Sequence, residues 1–226
     1  MDEIGGPLKL RSIGAEIADR LEAAIVREAF RPGEKLREIE ICERFGISRS
    51  PLREAFQILE GRGLVERKPR LGTSVTPMSL KALDDITLCR IPLEGSCARL
   101  LAEHPDHEAI ALRLETCLGE MRTALVAQDL SEGFEANVRL TMMLHETCGN
   151  PVLARLLRQL DTSALRYRYG AYIRDAGMLE RMIEANAAMI AAIRAGNGDA
   201  ASDLTEDLVR SAWQATRRIH SDAGRA

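Results

Sequence analysis

Aromatic residues make up only 4% of the 226 positions: three Tyr, four Phe and one Trp. Extended sheets draw heavily on aromatic and β-branched side chains, so this scarcity argues against a large β-structure. Histidine is rarer still. The four histidines, His104, His107, His145 and His220, form no H-E-x-x-H pattern, and the chain has no G-x-S-x-G and no phosphate-cradling glycine loop. A metal-dependent hydrolase therefore lacks its parts. The five cysteines are odd in number, scattered, and never spaced C-x-x-C. That sets aside a zinc ribbon or a disulfide framework and fits a reducing compartment, with most of them small buried apolar groups. No apolar run approaches the roughly 18 residues of a membrane span. The first ten residues, "MDEIGGPLKL", have no apolar core of a secretory signal. A soluble, cytoplasmic protein with no membrane partner is expected.

Ala, Leu, Ile, Arg and Glu are plentiful, a composition that favours helix. Net charge is −3, so any attraction to a polyanion has to be local. The imbalance is local. Residues 1–76 hold 14 Lys/Arg against 13 Asp/Glu, while the remainder holds 17 against 21. From Arg44 to Gly72 there are seven Lys/Arg and three Glu.

Periodicity and breakers divide the chain. "SIGAEIADRLEAAIVREA" spaces Ile13, Ile17, Leu21 and Ile25 four apart on one helix face. "RPGEKL" turns the chain, "EIEICERF" makes a short helix, and Gly46 ends it in the left-handed conformation. A third helix begins in "SRSPLREAFQILEGRG", with Ser48 or Ser50 as cap, Pro51 at or near its first position, and Leu52, Ala55, Phe56 and Leu59 on its apolar face. Two β-prone pieces, 64–67 and 73–76, flank a Pro- and Gly-containing loop and read as a small hairpin. From Ser79 onward only helices are expected, near 79–103 (kinked at Pro92), 105–127, 131–148, 151–173, 178–195 and 199–219. The fold expected is mainly α: a winged helix-turn-helix head over residues 1–76 and an all-α bundle over residues 77–226.

The head suggests DNA. Two helices joined by the tight "FGISRS" turn place Arg49 and Arg53 on the first turn of the second helix, which in a helix-turn-helix enters the major groove. A guanidinium pairs with guanine O6 and N7, and the helix start favours a phosphate. Arg67, Lys68 and Arg70 follow on the hairpin, with Gly72 permitting close backbone approach, as a wing would. Arg37, Ser48, Arg49, Ser50, Arg53, Lys68, Arg70 and Gly72 are the expected DNA contacts.

The run "RPGEKLREIEICERFGISRSPLREAFQILEGRGLVERKPRLGTSV" closely resembles the winged-helix head of GntR-type bacterial transcription regulators. "LCRIPLEGSCARLLA" and "LHETCGNPVLARLL" resemble the FCD ligand-binding domain of the FadR-like branch. The resemblance implies a homodimer on an inverted-repeat operator, acting as a repressor and answering to a small metabolite. It also shows departures. Relatives often carry an arginine where Ile39 stands here. Many hold a divalent metal with one Asp and three His; of these only His145 is retained, with Thr141, Asn186 and, within one residue, Asp207 at the other positions. No metal or other cofactor is expected. His145 is then either a hydrogen-bonded core histidine or part of a polar pocket that holds its ligand directly, lined by Arg90, Thr141, His145, Asn186 and Asp207, with Arg166, Tyr167, Arg168 and Tyr169 added from "LRYRYGAYIR". The effector expected is a small organic acid, since Arg90 suits a carboxylate, although Glu94, four residues on, is an equally good internal partner. A body that serves only dimerisation is the alternative.

Overall fold

Ser12 accepts a hydrogen bond from the Ala15 amide and so starts the first helix, α1 (Ile13–Val26). The structure, a computed structural model, describes residues 12–223. Two compact units divide at Pro77–Met78.

In the first unit α1 is followed by a two-residue strand β1 (Lys35–Leu36), helices α2 (Glu38–Phe45) and α3 (Arg49–Gly61), and strands β2 (Val65–Lys68) and β3 (Gly72–Val75). Ile17, Leu21 and Ile25 of α1 are buried against Leu52, Ala55, Phe56 and Leu59 of α3, all at 4% exposure or less. Each large apolar side chain so buried stabilises the unit by about 1.5–3 kcal/mol relative to exposure. Ile13, expected on the same face, is exposed instead. Gly46 takes φ 63° and closes α2, its amide and that of Ile47 returning to carbonyls of the last turn. Arg62 at the end of α3 pairs back to Asp19 and Glu22 of α1.

The hairpin expected from the sequence is part of a three-stranded sheet. β3 lies centrally, antiparallel to β2 (Val65↔Val75, Lys68↔Gly72) and to β1 (Lys35↔Ser74, Leu36↔Thr73). Two residues inside "RPGEKL" carry too little pattern to announce a strand. They pair because β3 offers them a free edge.

The second unit contains α4 (Leu80–Ala102), α5 (His107–Val126), α6 (Leu130–Thr147), α7 (Pro151–Arg174), α8 (Met178–Arg194) and α9 (Gly198–Ala223), and no strand among the described residues. Ser79, Asp129 and Asn150 cap α4, α6 and α7 with side-chain oxygens. Pro92 stands inside α4, and the helix continues through it. The long helices α4 and α9 pack along each other, α5 lies against α6 and α8, and α7 bridges α4, α6 and α9. No described helix is long and apolar enough to cross a membrane. Cys97, Cys117 and Cys148 are buried, whereas Cys89 is exposed.

Candidate DNA-binding surface and effector cavity

Helix α3 opens at Arg49, and the Ser48 side chain makes no capping hydrogen bond to its first turn. Arg49 and Arg53 are both exposed on that turn. Arg53 Nε lies 3.7 Å from Glu38 Oε1, a loose ion pair, and no described residue pairs with Arg49. Both guanidiniums can therefore turn to an outside acceptor at little expense, since exposed pairs contribute only about 0–1 kcal/mol. Ser50 is exposed beside them. Arg37 precedes α2 and bonds Glu40 at 2.8 Å. Ile39, on the first turn of α2, is 59% exposed.

On the wing Lys68 pairs with Glu66 at 3.0 Å and Arg67 approaches Glu60 at 3.8 Å. Arg70 occupies the loop tip at φ 66° and Gly72 follows at φ 87°. A left-handed arginine is uncommon, and here it directs off the loop a cation that no described residue pairs. Arg44, exposed at the end of α2 and likewise unpaired among the described residues, completes the basic set. Its place at the end of that helix makes it a further candidate contact.

Inside the helical unit a cavity of about 50 Å³ lies among α4, α6, α7, α8 and α9. That is room for a few waters. Arg90, Thr141 and Asn186 line it, together with Glu94, Asn137, Arg168, Tyr172, Thr205 and a wall of Met178, Met182 and Met189. Asn186 Nδ2 donates to Asn137 Oδ1 at 3.1 Å and to the Met182 carbonyl at 2.8 Å, and Thr141 Oγ1 donates to the Asn137 carbonyl. Arg90 Nε–H has no partner among the described residues. The Tyr172 hydroxyl also has none at hydrogen-bonding geometry, although Asn137 lies close to it; burial pushes this phenol upward from its ordinary range.

Beside the cavity runs a chain of buried charges. His145 Nε2 lies 2.8 Å from Glu94 Oε2, and Arg90 Nη2 donates to Glu94 Oε1 at 2.7 Å. The same Arg90 nitrogen is 2.9 Å from Asp161 Oδ1, which accepts from Arg168 Nη1 at 2.9 Å. Arg90, Glu94, Asp161 and His145 are all at 8% exposure or less. Burial alone would raise the Glu94 carboxyl, but the Arg90 guanidinium and then His145 outweigh it and hold the group down to about 2. Burial works against the charge on Arg90 too, and Asp161 and then Glu94 overcome it.

Several expected pocket residues lie elsewhere. Asp207 is exposed and bonds Arg210 on the outer face of α9. From that helix Thr205, Leu208 and Val209 face the cavity instead. His145 stands behind Glu94 and does not line the wall. Tyr167 is buried, its hydroxyl accepting from the Ser79 amide at 3.0 Å. Arg166 is buried outside the cavity wall, and burial lowers its pKa. Arg168 of "LRYRYGAYIR" does line the wall, and the residue missed was its counter-charge Asp161, whose signal was the need of a buried Arg90 for a partner. Paired with Glu94 and Asp161, Arg90 is not a free clamp for a carboxylate ligand. The donor set does not fit a metal either: Glu94 and His145 are committed to each other, and among the described residues no three His, Cys, Asp or Glu side chains stand together as ligands.

The bacterial regulatory proteins, gntR family, match residues 13–75, and the FCD domain matches residues 85–211. The chain is similar to YdhC, an HTH-type transcriptional regulator of Bacillus subtilis, at 36% identity over 57% of this chain and 55% of that one, about half the relative's length. It is also similar to the HTH-type transcriptional repressor RspR of Escherichia coli, at 24% identity over 93% and 91% of the two chains. In fold it resembles the solved structure of E. coli McbR/YncC, with a TM-score of 0.77 at 20% identity, covering 89% of this chain and 95% of that one.

Proposed function

We propose, from the premise that this chain belongs to the GntR family of transcription regulators and carries their FCD domain, that it is a homodimeric repressor released from its operator by a small polar metabolite. GntR regulators bind DNA and FCD domains bind small-molecule effectors, and named repressors stand among the relatives. The observation that carries the reading is the start of α3, where Arg49 and Arg53 are exposed with little or no internal pairing. That helix reads base edges in the major groove, Arg37 and Ser50 contact the flanking backbone, and Lys68, Arg70 and Gly72 bring the wing to the duplex. One head reads too few base pairs for a genomic address, so two heads read the halves of an inverted repeat. The reading places the protein in the cytoplasm, where its operator is. The cavity behind Arg90 receives the effector.

A second reading, in which the helical unit serves only dimerisation, draws on the small volume of that cavity. Gel-shift titration of full-length protein against DNA upstream of its own gene, with and without a metabolite panel, tests both. Sequence-specific binding relieved by one metabolite is expected. Binding that no metabolite alters favours the second reading, and no specific binding overturns the first.

A further inference from the structure

The charges beside the cavity restrict what can enter it. Two guanidiniums, Arg90 and Arg168, face two carboxylates, Glu94 and Asp161, within 2.7–2.9 Å, so their formal charges cancel. An incoming anion that paired with either arginine would strip Asp161 of a partner while Asp161 stayed buried, an unfavourable exchange. The hydrogen-bonding capacity left over is mixed. Arg90 Nε–H has no partner among the described residues, and the Tyr172 hydroxyl has only Asn137 close to it, short of hydrogen-bonding geometry. Asn137 has amide N–H groups not otherwise used, Asn186 has its Oδ1, and Thr141 Oγ1 can still accept. Donors and acceptors thus both line one space. A carboxylate only accepts, whereas a hydroxyl both donates and accepts. Met178, Met182 and Met189 line the same space, and unbranched methionines change rotamer readily enough to widen a cavity now fit for a few waters.

From this geometry we propose that the ligand of the cavity is an uncharged polyhydroxylated molecule of a few carbons, held by Arg90 Nε–H, Asn137, Thr141, Asn186 and Tyr172. The proposal rests on the effector reading above and specifies its chemistry. Its test pairs each neutral compound with its acid: glycerol with glycerate, erythritol with erythronate, xylitol with xylonate. Binding to the full-length protein is followed by calorimetry at pH 8, above the range in which a histidine ordinarily titrates. At least one alditol is expected to bind, with its acid weaker by about ten-fold or more. Asn186→Leu and Thr141→Val should each weaken the alditol by about five-fold or more. Asp161→Asn, which leaves two guanidiniums facing Glu94 alone, should shift the ratio towards the acid by about ten-fold. Acids that bind wild type more tightly than their alditols overturn the proposal and leave the effector reading standing. So does alditol binding indifferent to Asn186→Leu and Thr141→Val, a result that does not depend on whether Asp161→Asn folds. If neither series binds, the proposal falls and the dimerisation-only reading of the helical unit gains.

Discussion

His145 Nε2 and Glu94 Oε2 lie 2.8 Å apart in the interior of the helical unit. The imidazole is thus a hydrogen-bond donor to a carboxylate. Replacing it with alanine leaves that buried carboxylate one donor short. His145→Ala should lower stability by about 1–3 kcal/mol, read as a fall in melting temperature. Zinc, nickel or manganese added to metal-free wild-type protein should leave the melting temperature where it was. A rise with any of them would show a metal site that the donor geometry does not support.

Glu94 titrates at about 2, well below an ordinary glutamate. A carboxyl whose folded-state pKa is depressed stabilises the fold above its unfolded value and loses that contribution as pH falls through the folded one. The stability gap between wild type and Glu94→Gln should therefore be widest above about pH 4.5 and narrow towards pH 2. Paired melts across that window check it, and a gap independent of pH counts against the ion pair.

At the start of α3, Arg49→Ala and Arg53→Ala should each weaken operator binding by about 1–3 kcal/mol for every bidentate pairing with a base that the truncation removes. Neither side chain supports the core, so the melting temperature should stay within about a degree of wild type. Operator affinity unchanged in both variants would move the reading surface away from this helix.

Gly133 on α6 has no room for a methyl group, since a Cβ there would sit 2.5 Å from a Leu179 methyl carbon. Gly133→Ala should destabilise by about 1–3 kcal/mol through overpacking, against the helix propensity that favours alanine over glycine. Urea unfolding measures which effect wins, and a stabilised variant would mean that Leu179 gives way freely.

The Tyr167 hydroxyl holds both backbone groups of Ser79, accepting from its amide at 3.0 Å and donating to its carbonyl at 3.3 Å. In Tyr167→Phe the Ser79 amide should exchange with solvent faster by roughly five-fold or more, as expected when about 1 kcal/mol of protection is removed. Exchange unchanged at Ser79 would show that the tyrosine merely fills space.

Local features were legible in the sequence and long-range ones were not. Gly46, Ser79, Asn150 and Gly196 mark helix ends by conformation or capping within a few residues, and the helices end at or near them. Strand β1 has no such mark, because Lys35 and Leu36 become a strand only through β3, some forty residues later. The cavity divides the same way. Thr141 and Asn186 came from the ligand positions that the family resemblance implies, and they line the cavity; Asp207, given only within one residue, points away because one residue along a helix turns a side chain by about 100°. Asp161 was invisible as a partner of Arg90, since that pairing crosses from α7 to α4.

Arg90 and Glu94 lie on α4, Asp161 and Arg168 on α7, so each helix carries one positive and one negative charge of the quartet. For a drifting lineage this arrangement sets the order of permissible steps. Changing one member alone strands a buried charge, at about 3–5 kcal/mol, a large part of what a domain of this size has to spare. Exchanging both members on one helix for apolar residues leaves the other helix still neutral within itself. Descendants should therefore keep four of these charges or two, with the surviving two on the same helix, and intermediates with three should be short-lived.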